Sequence, residues 1–136
     1  MKRSMTVVTS AAALASVCWL AAGGHAAPRP DLRDFMRVKL KHSQKVLKGL
    51  VPNDFTMVAK NAQDMSLLSL DETWQVLTTP DYLEYSRKFR VTTDALSSAA
   101  KRNNLEQSTV AFNQVTTRCV ECHKYVRDVR MAKAGN

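Results

Sequence analysis

Apolar positions recur at helical spacing through four segments of the chain, and no stretch after the N-terminal run reads as an alternating strand. The first segment opens at Asp31, a good capping residue, and ends near Gly49 ahead of Pro52. Leu32, Met36, Leu40, Ser43, Leu47 and Leu50 share one stripe, which Phe35 and Val46 widen. Arg37, Lys41, Lys45 and Lys48 fall on the opposite side, so the pattern predicts a strongly amphipathic helix. A second helix is expected from Asn53 or Asp54 to about Ser69, with Phe55, Val58, Ala59, Ala62 and Met65 inward. The connection over 70–79, which carries Trp74 and Val76, is expected to fold over one end of the assembly.

Thr79-Pro80-Asp81 reads as a helix start, with a cap, a proline at the first position and an acid in the first turn. Tyr82, Tyr85, Phe89, Thr92, Leu96 and Ala99 mark the buried side of this third helix, and Asn103-Asn104 ends it. Asn104 and Gln107 have the spacing of a capping box for the fourth. Leu105, Ser108, Phe112, Val115, Cys119, Cys122 and Val126 then continue one face. Four amphipathic helices with mostly short connections predict an all-α protein, an antiparallel four-helix bundle. Such bundles hold cofactors between facing helices.

The N-terminus changes the count of what must fold. Lys2 and Arg3, an apolar run from about Met5 to Ala22 and small residues up to Ala26 predict a cleaved secretory signal over residues 1–26. The run is too short and wrongly flanked for a stable membrane span. Residues 27–136, 110 in all, then form a single domain. Of the three cysteines, Cys18 leaves with the signal. The net charge falls from +8 to +6 as Lys2 and Arg3 leave. A basic balance in an exported protein points away from nucleic acid and toward an acidic protein partner, an anionic surface, or plain solubility.

The two remaining cysteines lie in Cys119-Val120-Glu121-Cys122-His123, the C-x-x-C-H pattern by which a c-type haem is attached. On a helix, residues three and four apart share a face. Cys119 and Cys122 can therefore offer both sulfurs to the two vinyl groups of one porphyrin, and His123 can offer its imidazole to the iron. A thioredoxin-like pair would need a strand-helix-strand setting, and a zinc site would need further Cys or His ligands elsewhere. A plain disulfide is the remaining alternative. Export and the adjacent histidine favour haem c, one per chain. Only thirteen residues follow His123, so a second axial ligand would come from upstream.

With these features the chain resembles the class II c-type cytochromes, the family of cytochrome c′ and its low-spin relatives. The resemblance covers residues 27–136: a first helix with Arg33 and Met36, Lys48-Gly49 before the first turn, and C-x-x-C-H near the C-terminus followed by Arg127. It implies a bundle with haem on Cys119 and Cys122 and His123 as the proximal iron ligand. In low-spin members a first-helix methionine is the sixth ligand, the role open to Met36 here; in cytochrome c′ proper an apolar residue closes that side. A shift of one turn would bring Leu40 or Arg33 opposite the iron instead. The family's aromatic three residues after the histidine is Val126 here, with Tyr125 beside it.

Met36 lies mid-stripe, where a methionine serves either as core filler or as a ligand that raises reduction potential. Met57 and Met65 are weaker candidates, and His42 falls away from the stripe. Arg127, one turn past His123, is expected to pair with a haem propionate, to tune the proximal imidazole, or to stay solvated. The reading is a periplasmic one-electron carrier and not an enzyme, with redox partner proteins that are acidic if its basic face docks them. A five-coordinate nitric oxide-binding protein is the alternative. A homodimer through the first helix is common in the family.

Overall fold

The computed structural model describes residues 32–71 and 77–135, and those residues form four α-helices and no strand. They are α1 (Leu32–Leu50), α2 (Phe55–Leu68), α3 (Pro80–Lys101) and α4 (Leu105–Ala134). The expected signal segment, the Asp31 cap, Trp74 and Val76 lie outside the described residues.

The helix starts follow from local side-chain chemistry. Asp54 Oδ1 accepts from the Met57 amide at 2.9 Å and caps α2. Thr79 Oγ1 accepts from the Tyr82 amide at 3.3 Å, with Pro80 in the first position of α3. Asn104 Oδ1 accepts from the Gln107 amide at 2.8 Å to start α4. The capping box is only half made. The Gln107 carboxamide accepts instead from Arg102 at 3.0 Å, and the Asn104 amide donates to the Ala99 carbonyl at 3.2 Å.

α1 ends at Leu50, next to Gly49 as expected, and Gly49 itself allows a close approach to α2. A Cβ there would stand 3.0 Å from Val58 Cγ2 and 3.1 Å from the Asp54 carbonyl oxygen. The reversal falls on Asn53, at a φ of 61°, where asparagine is among the few residues that tolerate a left-handed conformation.

Consecutive helices pack along one another, whereas α1 and α4 touch only sparsely. One end of the bundle is solid. There Val46 and Leu50 of α1, Val58 and Ala62 of α2, Leu96 and Ala100 of α3, and Ala111 and Val115 of α4 form a continuous core. Each fully buried Leu or Val in it contributes about 1.5–3 kcal/mol relative to exposure. These residues come from the C-terminal half of α1, the start of α2, the end of α3 and the start of α4, which is the antiparallel four-helix order the sequence predicts. The other end, where α1 begins and α4 carries its cysteines, is hollow.

That division explains a rotation in α1. The stripe turned into protein is Phe35, Lys39, Val46, Gly49 and Leu50, displaced by roughly 80° from the predicted one at 100° per residue. Leu40 and Leu47 are exposed. Met36, Leu40 and Ser43 face the hollow instead.

Candidate cofactor site

The hollow end is a cavity of about 480 Å³, within the usual size of cofactor sites. All four helices contribute to its wall. From α1 come Arg33, Met36, Arg37, Lys39, Leu40 and Ser43; from α2, Met65; from α3, Tyr85, Ser86 and Phe89; from α4, Thr116, Arg118, Cys119, Cys122 and His123. Apart from the arginines, Lys39 and His123, the wall is chiefly apolar.

α4 brings Cys119, Cys122 and His123 to this one wall because three and four residues make about one turn. Cys122 is buried and Cys119 half-buried, and both are free thiols. Burial pushes each thiol up from its ordinary range, an effect that the Lys39 charge opposes. His123 is held below its usual value, first by burial and then by the charges of Arg127 and Lys39. The neutral imidazole, the form able to donate to a metal, is thereby favoured. Among the described residues no group of three or more His, Cys, Asp or Glu side chains is arranged as a metal-ion site.

The wall opposite α4 is α1. Met36 lines it and is half-buried. Met65 also lines the cavity and is fully buried, whereas Met57 does not reach it. His42 is half-buried away from the site, with Nδ1 2.9 Å from Asn61 Oδ1, where it ties α1 to α2. Arg127 is exposed and outside the cavity wall, although its charge reaches His123.

Two wall residues and one residue behind the wall escape the sequence pattern. Lys39 is 8% exposed, with its ammonium 3.7 Å from the centroid of the Phe89 ring. Desolvation pushes its pKa down to about 7, against the nearby cysteines, which would raise it. Arg118 pairs with Glu121 at 2.7 Å, while its Nε is buried without a hydrogen-bond partner. Tyr125 supports the cavity from behind: its hydroxyl is 2.8 Å from Thr79 Oγ1, and its ring lies 5.2 Å from that of Tyr85. Position alone held a signal for Lys39, which shares a helical face with Phe35 and Val46.

These residues suit a flat apolar macrocycle bearing carboxylates. The cavity offers two sulfurs, one neutral imidazole and a mostly apolar surround. Arg33, Arg37 and the unsatisfied Arg118 Nε supply cationic donors for carboxylates.

No protein-family model matches the chain, and no curated protein does. Among solved structures it is similar to cytochrome c′ from Rubrivivax gelatinosus, with a TM-score of 0.56 and 18% identity. The match covers 68% of this chain and 88% of that one. At that identity the likeness is one of fold, and the fold is the four-helix bundle of a cytochrome c′.

Proposed function

We propose that this protein is an exported c-type cytochrome whose haem is bound through thioethers to Cys119 and Cys122, with His123 as proximal iron ligand. The observation that carries the reading is the convergence of both thiols and the imidazole on one chiefly apolar cavity between α4 and α1. Bound there, haem supplies one-electron chemistry. The chain's residues bind it, exclude water and set its potential through ligand, burial and charge. Arg33, Arg37 and Arg118 hold the propionates, and burial favours neutral His123, with the Arg127 charge acting in the same direction. Met36 on α1 lines the same cavity and is the methionine that could serve as a sixth ligand.

The function that fits best is electron transfer between periplasmic partners. Arg37, Lys41, Lys45 and Lys48 are exposed along α1, and their charge suits docking of an acidic partner protein. No helix among the described residues is long and apolar enough to cross a membrane. An exposed stripe of Leu40, Leu47 and Val51 provides a surface for a second copy.

A second reading, a five-coordinate nitric oxide-binding protein, draws on the apolar distal wall that Leu40 and Phe89 supply. Carbon monoxide separates the two. A ferrous holoprotein whose spectrum ignores the gas is a six-coordinate carrier, and one whose spectrum shifts has an open sixth position.

A further inference from the structure

Several cations of the bundle are met by a carboxylate within one helical turn: Arg37 by Asp34, Lys60 by Asp64, Arg87 and Lys88 by Glu84, and Arg118 by Glu121. Past Cys122 on α4 that pattern stops. Lys124, Arg127, Arg130 and Lys133 are all exposed, and among the described residues none of the four forms an ion pair. Asp128 is the one carboxylate between Lys124 and Ala134. α4 continues for nine residues beyond Tyr125, whose hydroxyl meets the cap of α3, and no residue of α4 after Cys122 is buried. At 100° per residue Val120, Lys124, Arg127 and Met131 fall within about 60° of one another. Val120 is 61% exposed and Met131 73%. One stripe of α4 thus sets two unpaired cations between two exposed apolar side chains, and it begins inside the motif that runs from Cys119 to His123.

We infer that this stripe of α4, with Arg130 beside it, is a docking face for an acidic partner protein. The inference rests on the haem reading above and names a face apart from the lysines of α1. Charge identifies the occupant. Four cations against one carboxylate attract an acidic surface over several ångströms and orient it before contact. Val120 and Met131 then supply the small apolar centre that a weak protein–protein encounter packs against. A lipid surface fits less well, because helices that lie in a membrane interface bury Trp, Phe or Leu, and α4 has none of these from Cys119 onward. A partner seated on Val120 is one residue along the chain from Cys119, on the helix that tethers the macrocycle.

The test titrates the mature holoprotein with an acidic flavodoxin as the probe, by calorimetry at low ionic strength. Lys124→Glu with Arg130→Glu is expected to raise Kd about tenfold. Lys101→Glu with Arg102→Glu makes the same change of net charge on exposed residues at the solid end, and it should raise Kd less than about threefold. Met131→Ser removes apolar contact and no charge, and should raise Kd about threefold at low and physiological ionic strength alike. Hydrogen exchange with the probe bound should slow over residues 120–134. Equal effects of the two double variants, protection confined to α1, or no binding at low ionic strength overturns the inference. Adsorption to vesicles of anionic phosphatidylglycerol in place of the probe overturns it too. Binding is read without redox turnover, so a chain of bare mass fails the haem reading, whereas a holoprotein indifferent to which double variant it carries fails only this one.

Discussion

The ammonium of Lys39 lies 3.7 Å from the centroid of the Phe89 ring, inside the cavity that the cysteines of α4 also line. A buried cation at this place must be stabilised by the ring face, by an acceptor, or by loss of its proton. Its cost is readable as a pH dependence of folding.

In the folded chain Lys39 titrates at about 7, below its ordinary 10.5. Between those values the unfolded chain holds a proton that the folded chain has released, so stability rises as pH climbs through that window. His123, held below 6.5, acts in the same direction at lower pH. The two thiols, raised above 9.0, reverse the trend at alkaline pH. The haem-free chain should therefore gain helix by far-ultraviolet circular dichroism between about pH 7 and 9, by the equivalent of a few kcal/mol. Lys39→Met should retain its helix at the acid end. Equal profiles for the two chains would show that the buried lysine costs nothing.

Haem is expected to complete the hollow half of the bundle. An unfilled space of about 480 Å³ leaves that half of the bundle with little apolar packing, which weakens it. A Cys119→Ser, Cys122→Ser variant without haem should lose the cooperative thermal transition of the holoprotein. A sharp melt at the holoprotein's temperature would contradict this.

Gly49 offers a test at the solid end. Alanine gains about 1 kcal/mol of helix propensity. Its Cβ, however, meets Val58 Cγ2 at 3.0 Å and a backbone oxygen at 3.1 Å, and such overpacking costs about 1–3 kcal/mol. Gly49→Ala should lower the urea midpoint by the equivalent of about 1 kcal/mol, and a rise would show that α1 and α2 do not approach so closely.

If the basic face of α1 docks an acidic donor, the second-order rate of haem reduction should fall about tenfold between low and physiological ionic strength. Lys41→Glu with Lys45→Glu should remove most of that dependence, since both side chains are exposed. A rate indifferent to salt would place docking elsewhere.

The elements were legible in the sequence because their signals are local. Asp54, Thr79-Pro80 and Asn104 each cap the helix they precede, and the inward positions of α3 follow its periodicity except at half-buried Tyr85. What was not legible depends on tertiary packing. The apolar stripe of α1 predicts Leu40 and Leu47 as core, yet α1 meets α2 along Val46 and Gly49 and turns Met36 and Leu40 to the cavity. Lys39 was hidden because a lysine in an apolar stripe reads as an interruption, not as part of a site. The partnerless Nε of Arg118 depends on the side chain's burial, which no spacing rule gives. Tyr125, one residue off the family's aromatic position, reaches Thr79 and Tyr85 from another helix.

The central claim is the covalent haem on Cys119 and Cys122, and it is tested most directly by the intact mass of protein exported in cells that attach c-type haem. The account predicts a mature chain heavier by one haem, with the pigment retained through acid–acetone extraction and lost in the Cys119→Ser, Cys122→Ser variant. A mature chain at its bare mass, or a haem that extracts freely, would contradict it.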